Sequence, residues 1–156
     1  MRISSITKNA GKACNNRLYR HIRTFEKIVK NYFVISNKAN GSGAFGETLS
    51  APIIAEPGIG HTQTFMSIGK CESEQEAIAI TKYVKTKFAR AMLGVLKITQ
   101  DCPAPKWKYV PLQDFTAHSD IDWSKSVAEI DRQLYRKYDL TADEIEFIET
   151  HVKEMA

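Results

Sequence analysis

The sequence predicts an α+β fold: a small mixed or antiparallel sheet packed against one long helix, followed by a C-terminal helical hairpin. Three observations predict it. Short runs of β-branched and aromatic residues, separated by glycine and proline, occupy residues 32–69. A stretch from Glu74 to Thr99 carries a single apolar stripe at helical spacing. Two further helix-start signatures lie close together near the C-terminus.

Residues 1–31 read as a basic lead-in helix or arm. Leu18, Ile22, Phe25, Ile28 and Val29 recur at helical spacing, with Arg17, Arg20, Arg23, Lys27 and Lys30 between them. Residues 32–156 read as a single α+β domain. Its first strand is Tyr32–Asn37, its second Ala51–Ala55 and its third Thr62–Gly69. Ser73 and Glu76 form a capping box that opens the long helix. Ala77, Ile80, Val84, Phe88, Ala91, Val95 and Ile98 make its buried stripe, with Lys82, Lys85, Lys87 and Arg90 off it. Gly94 inside that pattern costs about 1 kcal/mol relative to alanine, which implies a close neighbour there. Asp101-Cys-Pro-Ala-Pro105 ends the helix, and Lys106–Leu112 alternates and reads as an edge strand because of Pro111. Residues 116–156 form the hairpin, with Ser126/Glu129 and Thr141/Glu144 as its two capping boxes.

Composition narrows the function classes. With 43% hydrophobic and 26% charged residues, the chain is globular rather than disordered. No apolar run approaches the roughly 18 residues that a spanning helix needs. The N-terminus lacks the apolar core of a secretory signal. Cys14, Cys71 and Cys102 are odd in number and far apart, so free thiols in a cytoplasmic setting are expected. The net charge of +4 conceals an asymmetry. Residues 1–114 carry +9, with +7 inside residues 1–30, while residues 115–156 carry −5. A basic body with an acidic tail points to a polyanion, nucleic acid first.

The common catalytic signatures are missing. Gly41-Ser-Gly-Ala-Phe-Gly46 is not followed by the Lys-Ser/Thr of a phosphate loop and does not lead into a helix, so it reads as a flexible or backbone-contacting loop. His21, His61, His118 and His151 are scattered, with no metal-ligand spacing. No serine-nucleophile elbow occurs. No lysine has an acidic residue two positions before it, as common magnesium nucleases require, and the chain has no Pro-Pro.

Several segments, in order, resemble a known family. They are Asn37-Lys-Ala-Asn-Gly-Ser-Gly43, Ile53-Ile-Ala-Glu-Pro-Gly58, Tyr83-Val-Lys-Thr-Lys-Phe-Ala-Arg90, Lys97-Ile-Thr-Gln-Asp101, Tyr109-Val-Pro-Leu-Gln-Asp-Phe115 and Asp120-Ile-Asp-Trp-Ser-Lys125. Ile130-Asp-Arg-Gln-Leu-Tyr-Arg-Lys-Tyr138, running into Glu144-Ile-Glu-Phe-Ile-Glu149, completes the set. Over roughly 125 of 156 residues the chain resembles the C-terminal, target-recognition region of bacterial type II restriction-modification DNA adenine methyltransferases. In that family the N-terminal part carries the cofactor loop and the catalytic Pro-Pro motif. The resemblance therefore implies double-stranded DNA as partner and no methyl transfer by this chain alone. No cofactor is expected in this chain, since S-adenosylmethionine would be bound by a catalytic part not present in it.

The resemblance also suggests candidate DNA contacts. Lys82, Lys85, Lys87 and Arg90 on one helix would meet phosphates, which position a protein without reading sequence. Asn37, Asn40, Ser42, Gln63, Gln100 and Gln113 would read bases from loops, with Lys38, Lys106 and Lys108 beside them. Trp107 and Tyr109 would stack on a displaced base. Two other classes stand beside this reading. One is a site-specific restriction endonuclease with a site built from Asp114, Asp120 and Asp122. The other is an interaction subunit whose hairpin docks a methyltransferase or endonuclease catalytic subunit.

Overall fold

The computed structural model describes Leu18, Ile22–Arg23, residues 30–47 and residues 49–155. Its fold is α+β. Four strands, β1 (Ile22–Arg23), β2 (Tyr32–Asn37), β3 (Ile53–Ala55) and β4 (Phe65–Cys71), form one sheet in the order β1-β4-β2-β3. Every neighbouring pair is antiparallel. Val34 sits at the centre, opposite Ile68 on one side and Ile54 on the other, and is fully buried. The register shifts between Tyr32 and Val34, so β2 is irregular where it enters the sheet.

The expected long helix is two helices. α1 is Glu74–Lys85 and α2 is Lys87–Gly94. The break falls at Thr86, whose ψ of 147° is extended. It costs little because the freed donors of α2 all find acceptors. The Thr86 hydroxyl donates to the Tyr83 carbonyl and accepts from the Ala89 N–H. Asp131 accepts from the N–H groups of Lys87 and Phe88, at 3.0 and 2.8 Å. Helical periodicity runs through a break of this kind unchanged, so the stripe alone does not reveal it. α2 also stops at Gly94, short of the expected Thr99. Ile98, expected in the buried stripe, is 73% exposed. The close neighbour expected at Gly94 is Phe45, whose ring would lie 2.9 Å from an added Cβ.

The edge strand expected at Lys106–Leu112 is instead a 3-10 helix, Ala104–Tyr109. Proline in its first turn favours a helix start, where a missing N–H goes unneeded. The three-residue repeat then puts Trp107 and Val110 on one buried face. At Ile22–Arg23 the expected lead-in helix is likewise corrected, because these residues pair with Ile68 and Ser67 of β4. Leu18 is buried and donates its N–H to the Val110 carbonyl. The rest of that expected helix, and Cys14, lie outside the described residues.

The hairpin is α3 (Val127–Lys137) and α4 (Ala142–His151), each opened by the capping box its sequence announced. Ile130, Leu134, Ile148 and Val152 join Val34, Ile68, Tyr83 and Phe88 in one buried cluster. Phe88 and Tyr138 stack with ring centroids 4.9 Å apart. Burying a side chain such as Phe88 stabilises by about 1.5–3 kcal/mol. Cys71 and Cys102 are free and buried, and burial pushes their thiols up to about 12 and about 11. No helix among the described residues is long and apolar enough to cross a membrane.

Candidate nucleic-acid interface

The end of β2 gathers several of the predicted contact residues. Lys38 donates its N–H to Thr64 O and accepts from Cys102 N, both at 2.9 Å. Ala39 bridges Asp101 in antiparallel fashion, and Asn40 N–H donates to Gln100 O at 2.9 Å. This short ladder brings Lys38 and Asn40 beside Gln100, although they are far apart in sequence, with Ser42 two residues beyond Asn40. Lys38 and Asp101 are 3.8 Å apart on the surface, a pair of small energetic weight. The Asn40 amide oxygen accepts from the Ser50 hydroxyl at 3.2 Å. Asn37, Gln63 and Gln100 are exposed at the same end of β2 and β4.

Beneath this ladder the glycine-rich loop folds around a carboxylate. Gly41, Gly43 and Gly46 have φ of 65°, 89° and 73°, a region that favours glycine. Their conformation turns consecutive N–H groups inward, the geometry of an anion-binding concavity. Its occupant is Glu47 of the same loop. Glu47 accepts from the N–H and hydroxyl of Ser42 at 2.8 and 2.7 Å and from the N–H of Gly43 at 2.7 Å. Those donors hold its carboxyl down at about 2, with the Ser42 N–H the largest cause. Lys97, 4% exposed, lies 3.4 Å from Glu47 and donates to Asn40 O at 2.9 Å. The loop thus contacts its own chain, as its lack of phosphate-loop context predicts. Sequence reasoning missed both Glu47 and Lys97. The signal available was an acidic residue directly after a run of glycines.

The helical cations are placed differently. Arg90 is 2% exposed, not on a solvent face. It donates to the carbonyls of Lys85, Gly46 and Lys153 at 3.2, 3.4 and 2.5 Å. Lys82 Nζ donates to the carbonyls of Trp123, Ser124 and Lys125. Lys87 pairs with Glu149 at 2.5 Å. Lys85 is half-buried. The four therefore do not form the row on one long helix that the periodicity suggested.

Trp107 is 1% exposed, so the stacking expected of it is corrected: the indole is core. Tyr109 is half-buried, with Lys108 Nζ 5.9 Å from its ring centroid. Gln113 is also interior. It donates to the Tyr138 hydroxyl at 2.8 Å and accepts from Lys137 Nζ at 2.9 Å. Lys106 is half-buried and Lys108 exposed on the 3-10 helix that follows the ladder.

Two of the three aspartates of the nuclease reading serve local turns, and the third is in an ion pair. Asp114 accepts from Thr116 N at 2.8 Å, and the Thr116 N–H holds its carboxyl down. Asp122 accepts from the Ser124 hydroxyl and N–H, which hold it down likewise. Asp120 pairs with Lys137 at 2.7 Å. Among the described residues, no three His, Cys, Asp or Glu side chains gather as a metal site would require.

No family model, curated protein or solved structure matches the chain.

Proposed function

We propose that this chain is a DNA-binding, target-recognition-type domain of a restriction-modification adenine methyltransferase system. It binds double-stranded DNA in the cytoplasm and does not transfer methyl groups with its own residues. S-adenosylmethionine and the transfer chemistry belong, on this reading, to a catalytic partner or a further catalytic part. The observation that carries the proposal is the convergence of Lys38, Asn40 and Gln100 at one end of the sheet. Amide side chains beside a cation are the groups that read base edges while anchoring to phosphate. The surrounding body carries +9 over residues 1–114, which supplies the attraction.

The test is affinity of the full chain for random duplex DNA at about 50 and about 200 mM salt. Several phosphate contacts weaken binding by orders of magnitude over that range. Duplex binding that falls steeply with salt supports the reading. No duplex binding at the lower salt overturns it.

A further inference from the structure

We infer that Ile98 is an apolar wedge that enters the base stack of bound duplex DNA; this rests on the DNA-binding reading above. Among the described residues Ile98 is the most exposed large hydrophobic side chain, at 73%. A single exposed isoleucine is ordinarily unremarkable. This one differs in how its backbone is held. It begins an exposed tip, Ile98-Thr99-Gln100, that is braced from below. Gly43 packs so closely that an added Cβ would lie 2.5 Å from Thr99 N and 2.6 Å from the Ile98 carbonyl carbon. The Gln100 carbonyl is fixed by the Asn40 N–H, and the buried Lys97 anchors the preceding residue to Asn40 and Glu47. A rigid support beneath an outward apolar side chain lowers the ordering cost of inserting it.

The surroundings specify the partner. The backbone ladder sets Asn40 against Gln100, the last residue of the tip, and Lys38, paired with Asp101, next along it. Cations and amides around an isoleucine match phosphates and base edges around a base step. Proteins that insert apolar residues between base steps unstack them and kink the duplex.

The experiment relaxes closed-circular plasmid with a topoisomerase in the presence of the full chain, then removes the protein. Wedge insertion unwinds the duplex and leaves a shifted linking number. The variants are Ile98→Ser and Ile98→Leu, with retention of the same plasmid measured alongside. The wild-type chain and Ile98→Leu are expected to shift the linking number. Ile98→Ser is expected to lose the shift while keeping plasmid retention within about three-fold, since phosphate contacts carry that affinity. The site is exposed, so circular dichroism should show all three equally folded. A wild-type chain that retains plasmid without shifting it overturns the wedge and leaves the DNA-binding reading standing. So does an Ile98→Ser chain that shifts it as far as wild type. A wild-type chain that retains no plasmid overturns both.

Discussion

Replacing Arg90 by methionine separates a cation that binds DNA from one that holds the fold together. Arg90 Nε and both terminal nitrogens donate to three carbonyls, on α1, on the glycine loop and on the C-terminal tail. Burial pushes its guanidinium down from the usual range and Asp131 opposes that shift. A hydrogen bond from a charged donor contributes about 1.5–3 kcal/mol. Three are lost, while freeing the site of a buried charge returns several kcal/mol. The expected net cost is about 3 kcal/mol, or a Tm lower by about 6–12 °C for a chain of this size. Thermal and urea unfolding followed by circular dichroism reads it. At a temperature where the variant is folded, its duplex affinity and salt slope should match wild type. A variant with wild-type Tm, weaker duplex binding and a salt slope shallower by about one would refute the reasoning and return Arg90 to the phosphates.

Three further outcomes follow from the same packing. Burial raises the Asp131 carboxyl from 3.8 to about 6, so the folded chain binds the extra proton between those values and this group favours folding more as pH falls from about 6 to about 4. Against Asp131→Asn, wild-type stability should therefore gain up to about 3 kcal/mol between about pH 7 and about pH 4; a flat difference in unfolding free energy would contradict it. Trp107→Ala should cost about 3–5 kcal/mol in urea unfolding, and a variant with unchanged stability but lost DNA binding would restore the stacking role. Gly43→Ala and Gly58→Ala form a matched pair, since both glycines have φ near +90° but only Gly43 has backbone within 3 Å of an added Cβ. Each should lose about 1 kcal/mol or more to backbone strain, and Gly43→Ala should also speed amide exchange at Thr99.

What the sequence made legible is local. Tyr32–Asn37 forms the strand its β-branched and aromatic run predicts, and the capping boxes at Ser126 and Thr141 open their helices where expected. What escaped depends on distant partners. The break at Thr86 is stabilised by Asp131, some forty residues on, and no local pattern announces it. Trp107 and Tyr109 alternate like a strand, but the prolines before them start a 3-10 helix in which residues three apart share a face. The polar side chains of the contact loops are visible in the sequence. Their assembly depends on the backbone bridge between Ala39 and Asp101, which side-chain chemistry does not encode. Arg90 lies off the apolar stripe, where an arginine is expected to reach phosphate, but its three carbonyl acceptors come from segments that only the fold brings together.

That internal use of cations changes the charge argument for DNA. The hairpin segment carries −5 and packs on the basic body through Lys87–Glu149, through Asp131 at the start of α2, and through Lys82 on the 123–125 carbonyls. Part of the body's basicity is thereby used within the chain, and fewer cations remain for phosphate than composition suggests. Lys38, Lys85, Lys106 and Lys108 are the candidate lysines with side chains at least partly at the surface and outside the hairpin contacts above. Four phosphate contacts give a slope of log affinity against log salt near −4. If the eight basic residues of positions 1–30 also engage, the slope steepens towards about −10. Titration of duplex binding over several salt concentrations distinguishes the two footprints. A slope near −4 confines the contact to the ladder and the lysines about it. A steeper one extends it to the basic N-terminal segment. A slope near zero refutes the phosphate contacts on which both footprints depend.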